Sequence, residues 1–207
     1  MFIKTTKLRK VLVTACACAL VITGGLTLHT ATAQAKGTYT VKTSTKPCNK
    51  SYTKLATYNK KTKQYYMLRS YLEKLEKKGG GTLTIKKGTY NVPCTLYVPS
   101  NVTIKFKSGA VLKKTAKTGN KKLAAGKSVL ELVPPSKSTK KNKVKKYAGS
   151  KNVTISGSGK SAIDLAGVNN STGIVIGHAQ NINISGITFK NMKGDSYINI
   201  GIKNEKK

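Results

Sequence analysis

Acidic residues are scarce in this chain, and their scarcity limits the chemistry that it can perform. The 207 residues include only 6 Asp and Glu against 39 Lys and Arg, a formal net charge of +33. Calcium sites need several oxygen ligands, mostly carboxylates, and glycoside hydrolysis needs two carboxyl groups close together. No two acidic residues are adjacent in the sequence. The composition therefore predicts no metal site and argues against a dense carboxylate active site.

Arginine is nearly absent too, so the positive charge is almost entirely lysine. Beyond residue 35 the only arginine is Arg69. Lysine is a hydrated point charge that does not fork onto guanine edges or phosphates as arginine does. We therefore expect loose attraction to an acidic polysaccharide or an anionic cell-wall polymer, and no sequence-specific binding of nucleic acid. The alternative is a solvated lysine-rich surface without a specific ligand.

Long apolar runs are missing as well. The most apolar segment, Val11–Ile22, is shorter than the ~20 residues of a membrane-spanning helix. Basic residues precede it and Ala33-Gln34-Ala35 follows it, which is typical of a secretory signal peptide over 1–35. We expect a secreted or cell-surface protein without a transmembrane segment after cleavage, when 35 basic and 6 acidic residues give a net charge of +29. A lipoprotein cleavage box at Val13-Thr14-Ala15-Cys16 is the alternative.

Two of the four cysteines, Cys48 and Cys94, lie outside the predicted signal peptide. A pair of cysteines in an exported chain favours one disulfide. The bridge would close a loop of ~46 residues, for which the chain-entropy model gives about 4 kcal/mol of stabilisation. Two separate thiols are the alternative.

One segment has the apolar spacing of a helix. Residues 36–61 precede it as a basic arm rich in Thr and Lys, with little apolar periodicity. Over 62–78 an apolar stripe predicts a capping helix, and the glycines at 79–81 end it. The stripe consists of Tyr65, Leu68, Leu72 and Leu75.

After residue 79 the pattern changes to short alternating strands separated by Gly, Asn and Ser. Three segments, starting at Ser100, Lys151 and Gln180, repeat a polar residue, Asn, and then alternating apolar and polar residues. With ~25 residues to a coil, this recurrence predicts a stacked-repeat architecture. Asn tolerates left-handed dihedrals, and its side chains could stack as ladders between coils. Lys-rich loops at 113–127 and 134–150 interrupt the repeat.

The order of motifs resembles a known superfamily. The glycine run leads into Thr82-Leu83-Thr84-Ile85, and then come Gly88-Thr89-Tyr90 and Pro99-Ser100-Asn101-Val102-Thr103-Ile104. This order resembles the N-terminal cap and first coils of the pectate-lyase-like right-handed parallel β-helix superfamily. The segment Asn181–Asn191 resembles a coil of its polygalacturonase-type branch. The resemblance implies an all-β right-handed parallel β-helix over 79–207 with one N-terminal capping helix. We expect about four to six coils and a C-terminally shortened member.

The resemblance also implies a function. The motifs of the cap occur in lyases, hydrolases, epimerases and non-catalytic binding proteins alike, and the complete family architecture implies a polysaccharide lyase or a glycoside hydrolase. The aspartate motifs of the polygalacturonase branch are missing here. Whether the chain is an enzyme is therefore left open. No cofactor is predicted, and Ca²⁺ enters only through the resemblance. The weak catalytic candidates are Asp164, His178 and Asp195, for each of which a turn or strand role is the alternative.

The alternative function is a non-catalytic surface or adhesion module. Such a module would bind polyanions through the second Lys-rich loop, because insertions in repeat proteins often form the binding face. The predicted polyanion-binding residues are Lys137, Lys140, Lys141, Lys143, Lys145 and Lys146.

Overall fold

The computed structural model describes residues 36–138, 144, 148–194 and 196–200. The signal peptide predicted over 1–35 lies outside these residues. The described part is mostly β structure with a single α-helix, α1 (Lys63–Lys77), and short 3₁₀ helices at Lys50–Lys54 and Pro135–Lys137. The strands are β1 (Gly37–Val41), β2 (Gly81–Ile85), β3 (Gly88–Val92), β4 (Leu96–Tyr97), β5 (Val102–Phe106), β6 (Ala110–Lys114), β7 (Ser128–Glu131), β8 (Lys151–Gly157), β9 (Ala162–Asp164), β10 (Thr172–Ile176), β11 (Gln180–Ser185), β12 (Thr188–Lys190) and β13 (Ser196–Ile200).

The strands form three parallel sheets. Sheet A has the order β1-β2-β5-β8-β11, sheet B the order β3-β6-β9-β12, and sheet C the order β4-β7-β10-β13. From β2 onward, each successive group of three strands gives one strand to sheet A, one to sheet B and one to sheet C. Four such passages stack on one another in the described part of the chain. This order is consistent with the β-helix-like solenoid that the repeat predicts.

Apolar side chains form columns across each sheet, because in-register residues of neighbouring parallel strands point to the same face. One passage cannot bury its apolar side alone, so stacking supplies the core. The residues of these columns are at most 2% exposed. They are Leu83, Ile104 and Ile155 in sheet A, Tyr90, Leu112 and Ile163 in sheet B, and Leu96, Leu130 and Ile174 in sheet C.

The helix α1 packs against β2, β3 and β4, the strands of the first passage. The apolar stripe predicted from the sequence is buried. The helix ends where the Gly80 N–H donates to the Leu75 carbonyl oxygen at 2.9 Å, and Gly79 adopts a φ of 68°. No helix among the described residues is long and apolar enough to span a membrane.

The arm predicted over 36–61 contains a strand that we did not expect. Within it, β1 pairs in parallel with β2 and adds a fifth strand to sheet A. Its sequence, Gly-Thr-Tyr-Thr-Val, has the β-branched and aromatic residues that strands favour. The strand is short and is flanked by Lys- and Thr-rich sequence. The composition of the arm therefore gives no prediction of a strand there.

The two cysteines are separate free thiols in the described structure. Cys48 Sγ lies 3.2 Å from the carbonyl oxygen of Ser70 on α1. Cys94, 6% exposed, has its Sγ 3.4 Å from the carbonyl oxygen of Ala124, in the loop before β7. The structure does not place them as the bridged pair that the sequence favours, since the two sulfurs contact different backbone carbonyls.

An asparagine ladder joins the repeated strands of sheet A. Asn101, Asn152 and Asn181 have φ values of 58°, 55° and 53°, in the left-handed region. The Asn101 side-chain amide donates to the Gly79 carbonyl oxygen at 3.3 Å, and Asn152 donates to Asn101 Oδ1 at 2.9 Å. Asn181 in turn donates to Asn152 Oδ1 at 2.8 Å. Each repeated Asn therefore supplies both the turn dihedral and a hydrogen bond between passages.

Substitution at the middle of the ladder should separate these two roles. Asn152→Ala loses two exposed hydrogen bonds and places a Cβ-bearing residue without a local polar partner in the left-handed region, so we expect the free energy of unfolding to fall by about 2 kcal/mol. Asn152→Gly loses the same hydrogen bonds without the dihedral penalty, and about 1 kcal/mol should be lost. Urea denaturation measures both. Equal losses in the two variants would show that the left-handed dihedral contributes nothing.

Candidate functional site

Charged side chains meet on the outer face of sheet B. Lys113 on β6, Asp164 on β9 and Lys190 on β12 occupy the same register. Their chain neighbours Leu112 and Ile163 are buried, so the alternation of a strand turns the charged residues outward. Neighbouring strands lie about 4.8 Å apart, which makes these three residues lateral neighbours. Residues distant in the sequence thus form one polar row on the surface.

The carboxylate of Asp164 is fixed through one of its two oxygens. Its Oδ1 accepts from the Ala166 backbone N–H and from Asn191 Nδ2, both at 2.8 Å. Ala166 and Asn191 have φ values of 51° and 56°, so both stand in left-handed turns that follow β9 and β12. Among the described residues, Oδ2 has no hydrogen-bond partner. The turns therefore orient the carboxylate and leave one oxygen as an acceptor for a ligand.

An open groove of about 520 Å³ surrounds this carboxylate, within the size range of ligand sites. The side chain of Met192 is 42% exposed there and provides an apolar surface. A Cβ built on Gly167 would meet nothing within 4 Å, so the groove is open above this turn. The groove is lined by Lys113, Asp164, Ala166, Gly167, Asn191, Met192 and Lys193.

The lysines at this groove have no acidic partner in the described structure. The salt bridge that the described residues form is Arg69–Glu73, at 2.8 Å on α1. Lys113, Lys190 and Lys193 are exposed, and none of them lies within 4.0 Å of the Asp164 carboxylate as an ion pair. Their ammonium groups are therefore available to an external anion, although partial exposure to solvent weakens each such contact.

The other two catalytic candidates do not join Asp164. His178 lies in the turn between β10 and β11 with a φ of 60°, and its carbonyl oxygen accepts from the Gly149 N–H at 2.9 Å. It is not part of the groove around Asp164. Asp195 lies outside the described residues. The structure thus brings together Asp164 with lysines and an asparagine, a set that the sequence did not predict.

The predicted polyanion-binding loop is described at only one of its six lysines. Lys137 Nζ donates to the Ala148 carbonyl oxygen at 3.3 Å, and the side chain lines a separate cavity of about 260 Å³ with Glu76 and Asn101. Glu76 accepts from the Ser136 backbone N–H at 3.1 Å, which ties this loop to α1. The remaining predicted residues, Lys140, Lys141, Lys143, Lys145 and Lys146, lie outside the described residues.

The carboxyl groups of the described part are dispersed. Asp164 is the acidic residue of the sheet B groove, while Glu131 lies on β7 in sheet C, where burial raises its pKa. No group of three or more His, Cys, Asp and Glu residues able to hold a metal ion occurs in the part of the chain that the structure describes. The groove can therefore accept hydrogen bonds from hydroxyls and attract anions, but its described residues do not present the two carboxyls of a glycosidase.

Sequence reasoning missed Lys113, Asn191, Met192 and Lys193. Lys113 was assigned to a Lys-rich loop, although it belongs to β6. One usable signal was present: Asn191 takes the same left-handed φ as the repeated asparagines, although it follows β12 and they stand at the start of their strands.

Comparison with protein-family models, curated proteins and solved structures gave no match for this chain. The likeness to pectate-lyase-like proteins therefore rests on the motifs of the sequence.

Proposed function

We propose that this chain is an exported right-handed parallel β-helix that binds an acidic polysaccharide at the groove on sheet B. The observation that carries the proposal is an oriented Asp164 carboxylate, with one oxygen free, beside exposed lysines that form no ion pair with another described residue. Acidic sugars present carboxylates and hydroxyls together. Lys113 and Lys193 suit the carboxylates, whereas the free oxygen of Asp164 suits a hydroxyl.

The surrounding charge supports the same class of ligand. The net charge of +29 that remains after the predicted cleavage attracts polyanions over about a Debye length, which is ~8 Å at physiological salt. Lysine predominates over arginine, and it supplies this attraction without planar bidentate recognition. Met192, half exposed beside Asp164, offers an apolar contact for the C–H face of a sugar ring. These features favour binding to the repeated units of a polymer.

The proposal is for binding without turnover. The superfamily resemblance suggests a polysaccharide lyase or a glycoside hydrolase, and each needs a particular set of catalytic groups. Among the described residues the groove offers one carboxyl group, whereas hydrolysis needs an acid and a base or nucleophile. Incubation with polygalacturonate, with and without Ca²⁺, should give no new reducing ends and no absorbance from unsaturated products. Either product would overturn the non-catalytic interpretation.

Removing the two groove lysines should weaken binding to soluble polygalacturonate. We expect Lys113→Gln combined with Lys193→Gln to raise the dissociation constant at least about tenfold at ~0.15 M salt. The matched control combines Lys50→Gln with Lys54→Gln, because both lysines are exposed and lie on the first 3₁₀ helix, away from the groove. That control loses the same charge and should change affinity by less than about threefold. Affinity electrophoresis or calorimetry measures the difference.

Equal weakening by both double variants would show that only net charge matters and would reject the groove. A third double variant, Lys140→Gln with Lys141→Gln, tests the loop predicted from the sequence. A loss confined to this variant would assign binding to the loop and again reject the groove.

A further inference from the structure

The outer face of sheet A carries a regular array of hydroxyl groups. Residues whose neighbours point into the core recur in two columns, one residue from each strand. We call these ten residues the hydroxyl face. The first column is Thr38, Thr82, Thr103, Thr154 and Asn183, and the second is Thr40, Thr84, Lys105, Ser156 and Ser185.

The hydroxyl face is not used by the fold. Each of its side chains is exposed or partly exposed. None of them forms a side-chain hydrogen bond with another described residue, in contrast to the nearby Asn101 and Asn152, which bond to each other. The inward residues of the same strands, such as Ile104 and Ile155, account for the packing of the sheet. The hydroxyls are therefore free to bond outward.

The hydroxyl face is also almost free of charge. Lys105 is the one charged residue among the ten, whereas the chain as a whole contains 39 Lys and Arg. The outer face of sheet B differs, since its central row contains Lys113, Asp164 and Lys190. Sheet C differs as well, with Tyr97 and Glu131 facing outward in one row. The alternation continues past the ends of three of the strands into the exposed lysines Lys42, Lys86 and Lys107. The two columns themselves offer mainly uncharged hydrogen-bonding groups, and these groups suit an uncharged partner.

The spacing of the array points to an ordered partner. Parallel strands lie about 4.8 Å apart, and alternate residues of a strand lie roughly 6.6 Å apart. The two columns therefore present side chains, most of them hydroxyl-bearing, on a repeating grid over five strands. Threonine adds a methyl group at each point, so the face offers hydrogen bonds and apolar contacts together. The packed chains of a crystalline polysaccharide likewise expose hydroxyls and C–H groups at a fixed repeat.

We propose that the hydroxyl face binds the surface of an ordered, uncharged polysaccharide, independently of the groove on sheet B. The hydroxyl face then binds the protein to an insoluble glycan, while the groove on sheet B binds a soluble acidic polymer. The first contact depends on shape and hydrogen bonds, so it should persist in salt. The second depends on charge and should be screened.

The test is co-sedimentation of the purified protein with microcrystalline cellulose and with crystalline chitin, at low salt and at about 0.5 M NaCl. We expect retention on at least one solid at both salt concentrations. Thr103→Lys adds a second charge beside Lys105 on the central strand of the face and should lower the partition coefficient onto the solid at least about tenfold. Thr188→Lys is the matched control, because Thr188 is an exposed strand residue on sheet B, and it should bind as the unaltered protein does.

A second variant keeps the strands intact. Replacing Thr82, Thr103 and Thr154 with Val removes three hydroxyls and retains the β-branched shape. This triple variant should also lose binding, with its melting temperature as a check of folding. Three results would overturn the proposal: no retention on either solid, retention that salt abolishes, or equal retention of Thr103→Lys and Thr188→Lys. Polygalacturonate binding is measured separately, so failure of the hydroxyl face and failure of the groove are distinguishable.

Discussion

Replacing Gly81 with Ala is expected to lower the free energy of unfolding by at least about 3 kcal/mol, a large share of the stability of a typical domain. Gly81 has a φ of 136°, a region that is essentially restricted to glycine, so any side chain is strained there. A Cβ would also overlap the carbonyl oxygen of Gly37 on β1. Because both obstacles are backbone, no rotamer change relieves them, and β1 would have to leave sheet A.

Gly109→Ala is the matched control for this substitution. Gly109 also has a positive φ, 75°, but the nearest atom to its Cβ would be the flexible Lys87 side chain at 3.0 Å. We expect a loss of about 1–2 kcal/mol, from the left-handed dihedral alone. Chemical denaturation measures both, and hydrogen exchange of the β1 amides reports whether that strand has detached. A loss in Gly81→Ala no larger than that in Gly109→Ala would contradict the role assigned to the close approach of β1 and β2.

The sequence predicted the parts of the fold that depend on local patterns. The apolar stripe predicted α1, and the repeated strand starts predicted stacked passages. Asn101, Asn152 and Asn181 occupy the left-handed turns expected of them and form a continuous ladder. Each of these features depends on residues close together in the chain, or on recurrence, which a single sequence displays directly.

The candidate site could not be predicted in the same way. Lys113 and Asp164 are neighbours on sheet B because β6 and β9 pair in register, although both Lys-rich loops, β7 and β8 lie between them in the sequence. The length of such a loop does not reveal which residues become lateral neighbours. The sequence singles out Asp164 as a weak catalytic candidate, but its partners depend on a strand register that the sequence does not display. The strand β1 was missed for a related reason, since its pairing with β2 lies across the whole of α1.

One inward position of sheet B contradicts the apolar pattern of the core. Lys114 lies in register with the buried Val92 and is 1% exposed. Its Nζ donates to the Pro93 carbonyl oxygen at 2.7 Å. Burial lowers the pKa of the Lys114 ammonium to about 8, from 10.5, and this direction means that the fold disfavours its charged form. The same carbonyl oxygen also accepts from the Gly126 N–H at 3.0 Å, so it keeps a partner if the lysine is removed.

We therefore expect Lys114→Met to stabilise the protein at pH 7 by about 3 kcal/mol, because a pKa difference of about 2.5 units corresponds to roughly that free energy. Methionine fills a similar volume without a charge. The sign follows from the lowered pKa: between pH 8 and pH 10.5 the unfolded chain binds more protons at this residue, so the stability of the native protein rises with pH. The extra stability of Lys114→Met over the native protein is therefore largest below about pH 8 and disappears as the pH rises through 10.5.

Urea denaturation of the native protein and of Lys114→Met across this pH range measures the difference between their free energies of unfolding. The titration of the other lysines is common to both proteins and cancels in this difference. Lys113→Met is the matched control, since Lys113 is the exposed neighbour on the same strand and faces the opposite side. It should show neither the stabilisation nor its pH dependence. A Lys114→Met variant that is less stable than the native protein at pH 7 would mean that the hydrogen bond to Pro93 outweighs the burial of the charge. Lys114 would then make a net stabilising contribution to the fold in spite of the cost of burying its charge.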